Sequence, residues 1–185
     1  MSGANDFARR TYLPVFRNPS DSAPNFWTLR DGATGAALTT LPTSNYVGNF
    51  GTTELEDCED APLGVTCNGN GLFFHNSSVR FRDVTDGTSN TIHVGERRTR
   101  SDLGWHSTWV GVIPGGEEAF ARILGVADHT PNHVTSHFDD FSSPHTGGAF
   151  MLFADGHVRF LSENINLSVY QRLANRRDGL PVGDF

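Results

Sequence analysis

The sequence contains no lysine; all 14 of its basic residues are arginine. That absence excludes Schiff-base chemistry, a phosphate-loop lysine and lysine–asparagine cross-links, each of which needs a primary amine. Long apolar runs are missing as well. No stretch approaches the roughly 18 residues that would span a bilayer. The opening residues, MSGANDFARR, are too polar for a secretory signal, so an export or anchoring segment is expected to have stood ahead of them. Positive charge is scarce, with a net charge of −7 at pH 7. Nothing concentrated is available to neutralise phosphates, and nucleic acid is not expected as a partner. The tightest basic run, residues 96–100, reads as a solvated strand end.

Cysteine is sparse too, with only Cys58 and Cys67 in the segment DCEDAPLGVTC. Two readings stand. Pro62 and Gly64 favour a turn that would bring the sulfurs together, and a disulfide there implies an oxidising compartment. The other reading is a pair of free thiols in a cytosolic protein. The lack of further Cys or His partners argues against a zinc site and favours the disulfide.

What remains is a chain of 185 residues, enough for one domain with a real core. Apolar residues make up 37% and charged residues 19%, and the 20 glycines imply many turns. The expected class is α+β and β-rich: an antiparallel sheet with long loops and a short C-terminal helix. Residues 1–40 read as an extended, loop-rich part with one strand at 13–16, and residues 41–185 as the β-rich core. Strands are expected at 44–50, at 89–96 with Ile92 and Val94 on one face, and at 105–113.

The clearest element is a hairpin over 149–161 around Asp155-Gly156, read as a two-residue turn. In that register Phe153 faces Val158 and Met151 faces Phe160 on a buried side, leaving His157 and Arg159 wet. A helix over 166–176 follows, capped by Asn164 or Asn166, with Leu167, Tyr170 and Leu173 on one face. Arg172, Arg176 and Arg177 suit its negative end, and Gly179 stops it.

Five of the eight histidines fall between residues 129 and 157. His129, His133 and His137 are spaced as a helical stripe, but Pro131, Val134 and Thr135 argue for a loop. With Asp128, Asp139 and Asp140 that loop could hold zinc or calcium, although polar loop residues are the plainer reading. The acidic run Glu54, Glu56, Asp57, Glu59 and Asp60 could bind calcium, but lacks the glycine and spacing of a calcium loop. Ser142, Ser143, His145 and Asp155 supply the residue types of a hydrolytic triad without the G-x-S-x-G elbow around either serine. No catalytic residues are therefore assigned.

His145 and Asp155-Gly156 are separated by nine residues, TGGAFMLFA. Around them stand SNYVGNFG at 44–51, VRFRDVTDGTSNTIHVGE at 79–96, TWVGVIPG at 108–115 and ADGHVRFLSENI at 154–165. Taken together, over residues 12–180, the chain resembles the bacterial prepilin-type processing-associated family named for its His-x9-Asp-Gly motif, a domain of unknown function. Its members resemble type II secretion pseudopilins and type IV pilins, with a prepilin cleavage site and a long hydrophobic helix before the region seen here. Where they commonly show Cys-Pro-Ser-Asp, this chain has Asn18-Pro19-Ser20-Asp21.

The resemblance implies a non-catalytic head displayed outside the cytoplasm, assembling with itself or other pilin-like subunits and meeting the membrane only through a helix ahead of this region. It brings no cofactor. His145, Asp155 and Gly156 are expected to be structural, with the imidazole pinning the hairpin's base through backbone or Asp155, no water-filled cleft beside it, and Gly156 supplying the turn. The alternatives are a secreted ligand- or glycan-binding module using Trp27, Trp105 or Trp109, and a metal-dependent or serine hydrolase.

Overall fold

The computed structural model describes residues 5–59, 67–183 and 185; Asp60, Pro62 and Gly64, which entered the reading of the cysteine loop, lie outside them. The chain builds two sheets. In the first, β1 (Phe26–Arg30) pairs antiparallel with β2 (Ala37–Pro42). Trp27 and Leu29 alternate inward and meet Leu41 and Ile113 in a small separate core. The N-terminal part is thus more ordered than its prolines suggest, and its residues 14–16 form a 3-10 turn rather than a strand.

The second sheet has the order β5 (Leu124–Val126), β3 (Tyr46–Gly51), β4 (Ile92–Glu96), β6 (Gly148–Phe153) and β7 (Val158–Ser162). Every neighbouring pair is antiparallel except β3–β5, which is parallel. Besides the short helices α1 (Asp6–Arg9) and α2 (Glu56–Glu59), a two-turn helix α3 (Leu167–Ala174) lies against the sheet. The architecture is the expected β-rich α+β fold with a short C-terminal helix.

Helix α3 begins where Asn166 Oδ1 accepts the N–H groups of Ser168 and Val169 at 3.0 and 3.3 Å. It stops short of residue 176 because Arg176 turns back onto another segment, its guanidinium donating to the carbonyls of Gly69 (2.8 Å) and Gly71 (2.5 Å). Tyr170, Leu173 and Ala174 bury one face of the helix against Ile92, Met151, Phe153 and Leu161. Asn49 ties the layers together, its buried amide donating to the carbonyls of Ile92 and Ala174 at 2.8 Å each. The Phe141 ring fills the space above Gly95 and Gly125; a Cβ at Gly125 would come within 2.6 Å of it.

Two details reverse the expected faces of the sheet. The hairpin turn is longer by one residue: Phe153 N–H donates to His157 O, and Gly156 N–H to Phe153 O, both at 2.9 Å. Ala154, Asp155 and Gly156 form a three-residue loop with Gly156 at φ +96°. The register is then Leu152↔Val158, Met151↔Arg159 and Phe150↔Phe160. A one-residue slip moves a whole strand to its other face. Ala149, Met151 and Phe153 point into the core with Leu161, while Val158 and Phe160 are 61% and 39% exposed. His157 and Arg159 stand on the Phe153 side, the imidazole stacked on that ring at 4.4 Å and the guanidinium over Phe185 at 3.9 Å.

The second reversal is in β4. Its pairing with β6 shifts between Ile92↔Phe153 and Val94↔Leu152, so a bulge at His93 breaks the alternation. Ile92 enters the core, whereas Val94 lines the opposite face instead of sharing the face of Ile92. Residues 105–113 do not form a strand; a single bridge, Ser44↔Ser107, joins them to the segment before β3.

Candidate functional site

These reversals create a groove on the outer face of the five-stranded sheet. The bulge turns Val94 outward, and the hairpin register sets Val158 beside Phe150 and Leu152. Val15 and Phe16, from the turn at 14–16, form the facing wall. The cavity measures about 550 Å³, and its only polar lining residues are Asn18, Tyr46, Glu96 and His145.

At one end those polar residues make a knot. Glu96 is buried at the end of β4, where the ladder with β6 has already stopped. Its Oε2 takes the Phe150 N–H at 2.8 Å in place of a backbone carbonyl, and its Oε1 accepts from Asn18 Nδ2 at 2.7 Å. The His145 ring lies 3.1 Å from Asn18 Nδ2 and 3.5 Å from Glu96 Oε1, with its edge against Phe150. Burial, then the charge of Glu96, raises the pKa of Tyr46.

The knot continues behind the groove. Asn45 Oδ1 accepts the Asn18 N–H at 3.1 Å, and Asn45 Nδ2 donates to Asp21 (2.5 Å) and to Arg97 O (3.0 Å). Burial works to raise the pKa of Asp21, but N–H donors from Thr99 and Ala23 and the Asn45 amide outweigh it and hold it low. Segments 18–21, 44–46, 96–99 and 143–145, far apart in sequence, are therefore one hydrogen-bonded unit. Nothing in the composition pointed to Asn18, Tyr46 or Glu96 as members of a site. Tyr46 and Glu96 lie within the blocks 44–51 and 79–96 singled out above, whereas Asn18 lies outside them. Asn18 is a buried hub.

His145 does stand at the base of the hairpin, where Asn132 Nδ2 donates to His145 O and Gly148 O at 3.2 Å each. It is not joined to Asp155, and contrary to expectation its ring borders a cleft. Asp155 lies at the other end of β6. There it accepts from His157 N (3.1 Å) and meets His157 Nδ1 at 2.6 Å; these contacts hold its carboxyl below the usual range. Gly156 fills the turn role assigned to it. The serines of the hydrolytic alternative are turned to the backbone, Ser143 Oγ accepting the His145 N–H and Ser142 Oγ the Arg98 N–H. Ser142, Ser143, His145 and Asp155 are not brought together as a His–Asp–Ser arrangement.

Cys58 and Cys67 form a disulfide, with Cα atoms 5.4 Å apart, beside Phe50 and Leu55. The tryptophans make no exposed platform. Trp27 is buried beneath Arg122 and stacked on His106, Trp105 packs on Phe138, and Trp109 stacks on Phe16.

The histidine loop folds as a loop, around the buried Asp140. That carboxylate accepts the N–H groups of His129 (3.1 Å) and His137 (2.8 Å) and meets His129 Nδ1 at 3.0 Å. Asp128, His129 and His137 bring ligand atoms within 4.8 Å of one another, and so do Glu54, His137 and Asp139. Burial and the adjacent Asp128 carboxyl push the Glu54 pKa up to about 7. His133 stacks on His129 but turns its Nδ1 to Thr135 Oγ1 at 2.9 Å. Glu59, expected in an acidic calcium loop, instead accepts the N–H groups of Phe120 and Ala121.

The family described as a protein of unknown function, DUF1559, matches residues 2–168. The chain belongs to that family. No curated protein and no solved structure matches it.

Proposed function

We propose that the chain is the head of a non-catalytic, pilin-like or pseudopilin-like subunit of the His-x9-Asp-Gly type, working outside the cytoplasm in a filament, surface or secretion assembly. A hydrophobic N-terminal helix of the full-length protein anchors it, and its partners are copies of itself or other pilin-like subunits. The observation that carries this reading is the open apolar face of the main sheet. Among the described residues, the face of β4, β6 and β7 formed by Val94, Phe150, Leu152 and Val158 is covered only in part, by Val15 and Phe16 on one wall of the groove, and a partly open sheet face of this kind suits an apolar partner.

Two features support the rest of the reading. The disulfide suits an oxidising compartment. Both Glu96 oxygens hold donors that pin strands in place, which suits scaffolding better than proton transfer.

Thiol cross-linking in cells making the full-length protein tests the proposal. With Val158→Cys on the open face, oxidation should trap the subunit with itself or with another envelope subunit. A protein found in the cytoplasm, with Cys58 and Cys67 reduced, would overturn it. A secreted ligand-binding module is the second reading, favoured by the size of the groove and its polar end. Saturable binding of a small apolar ligand, abolished by filling the groove with Val94→Trp, would support that reading over the first.

A further inference from the structure

Away from the groove, five potential ligands converge where the histidine loop meets the chain after β3. His137 belongs to both three-residue groups described above, so Glu54, Asp128, His129, His137 and Asp139 surround one region. Among them Asp139 is largely buried as a residue, 7% exposed. Three carboxylates gathered beside two imidazoles repel one another, and a cation placed among them offsets that repulsion.

The charge of Arg97 interacts with that of Asp139, but its hydrogen bonds go elsewhere. Its guanidinium donates to the main-chain carbonyls of Asp139, Asp140, Ala121 and Leu124, and to Ser107 Oγ, rather than to any of these carboxylates. Asp139 therefore points its charge at Glu54 and His137 while its own carbonyl is held by Arg97.

We propose that Glu54, Asp128, His129, His137 and Asp139 form a binding site for a divalent cation of the zinc class. Two imidazoles among carboxylates select a borderline metal such as zinc over calcium, whose ligands are oxygens. Asp140 serves as the support behind the site. Its carboxylate meets His129 Nδ1 at 3.0 Å and orients the ring, as a carboxylate does behind a metal-bound histidine, leaving the other ring nitrogen for the cation. The same carboxylate accepts the His137 N–H, so one buried residue sets the separation of both imidazoles. This inference is independent of the pilin-like reading, since the site lies away from the groove.

Titration calorimetry of chelator-treated protein with zinc chloride, with metal content measured after gel filtration, tests the site. One equivalent should bind at micromolar or tighter concentration, and calcium chloride should give no competing heat. His137→Ala removes an exposed side chain and should leave folding intact while weakening zinc binding by at least about tenfold. Asp139→Asn should do the same, whereas His133→Ala, outside both groups, should bind as the parent does. Failure to take up zinc at about 100 μM, retention of the equivalent by a His129→Ala/His137→Ala double variant, or equal binding of calcium would each refute the site.

Discussion

Replacing Phe153 and Phe160 separately by alanine tests which face of the hairpin is core, and hence whether the groove exists. The two residues lie on opposite faces of the hairpin, Phe153 fully buried and Phe160 39% exposed. Removing Phe153 loses the transfer energy of a whole buried ring, roughly 1.5–3 kcal/mol, together with the energy of the cavity left among Ile92, Tyr170 and Leu173. The sum is about 3–5 kcal/mol. Phe160 keeps part of its surface wet and packs edge-to-face on Phe150 at 5.0 Å. Its loss forfeits about half the transfer energy and an aromatic pair, roughly 1–2 kcal/mol in all.

The difference of about 1–4 kcal/mol is readable by urea unfolding. With a slope of about 2 kcal/mol/M, the Phe153 variant should shift its midpoint by about 1.5–2.5 M and the Phe160 variant by about 0.5–1 M. The register described here is wrong if Phe160→Ala is as destabilising as Phe153→Ala, because that equality belongs to the two-residue turn.

Three further expectations concern the knot, the disulfide and the titrating side chains. Asn18→Ala and Glu96→Ala should each lower stability by about 1–3 kcal/mol, the first by orphaning the buried Glu96 Oε1 acceptor and the second by orphaning the Asn18 Nδ2 and Phe150 N–H donors. Their effects should be sub-additive in a double-mutant cycle, whereas those of His145→Ala and Asp155→Ala, at opposite ends of β6, should add within about 0.5 kcal/mol. Reducing Cys58–Cys67, nine residues apart in sequence, should lower stability by about 2–3 kcal/mol on the chain-entropy estimate; an unchanged melting temperature in reductant would contradict it.

Burial holds His93 below its ordinary pKa, so the unfolded chain binds more protons just below pH ~6.5 and stability is lost as pH falls there. Glu54, raised to about 7, acts oppositely, favouring the folded state below that pH and losing its contribution as pH rises from about 4.5. His93→Phe should therefore gain on the parent as pH drops from 7 to 5, and Glu54→Gln should lose ground. Parallel profiles would dismiss both shifts.

The sequence alone determined the class of the fold and several of its parts. Short strand-forming runs marked β3 and β6, Asn166 and the Leu167–Tyr170–Leu173 spacing marked α3, and Asp155-Gly156 marked a hairpin, because local propensity and capping act within a few residues. The absent lysines and the low count of long apolar runs limited the chemistry in the same direct way. Only the tertiary structure decided which faces of β4 and β7 are buried. One added residue in the hairpin loop and one bulge at His93 turn Val158, Phe160 and Val94 to the outer face against their polarity, so the local alternation pointed to the wrong face. The groove follows from that inversion. So do the two polar assemblies: Asn18, Glu96 and His145 meet across 127 residues of sequence, and Glu54 reaches the histidine loop from another element. Side-chain hydrogen bonds and ligand sets depend on distance in space, which sequence separation does not encode.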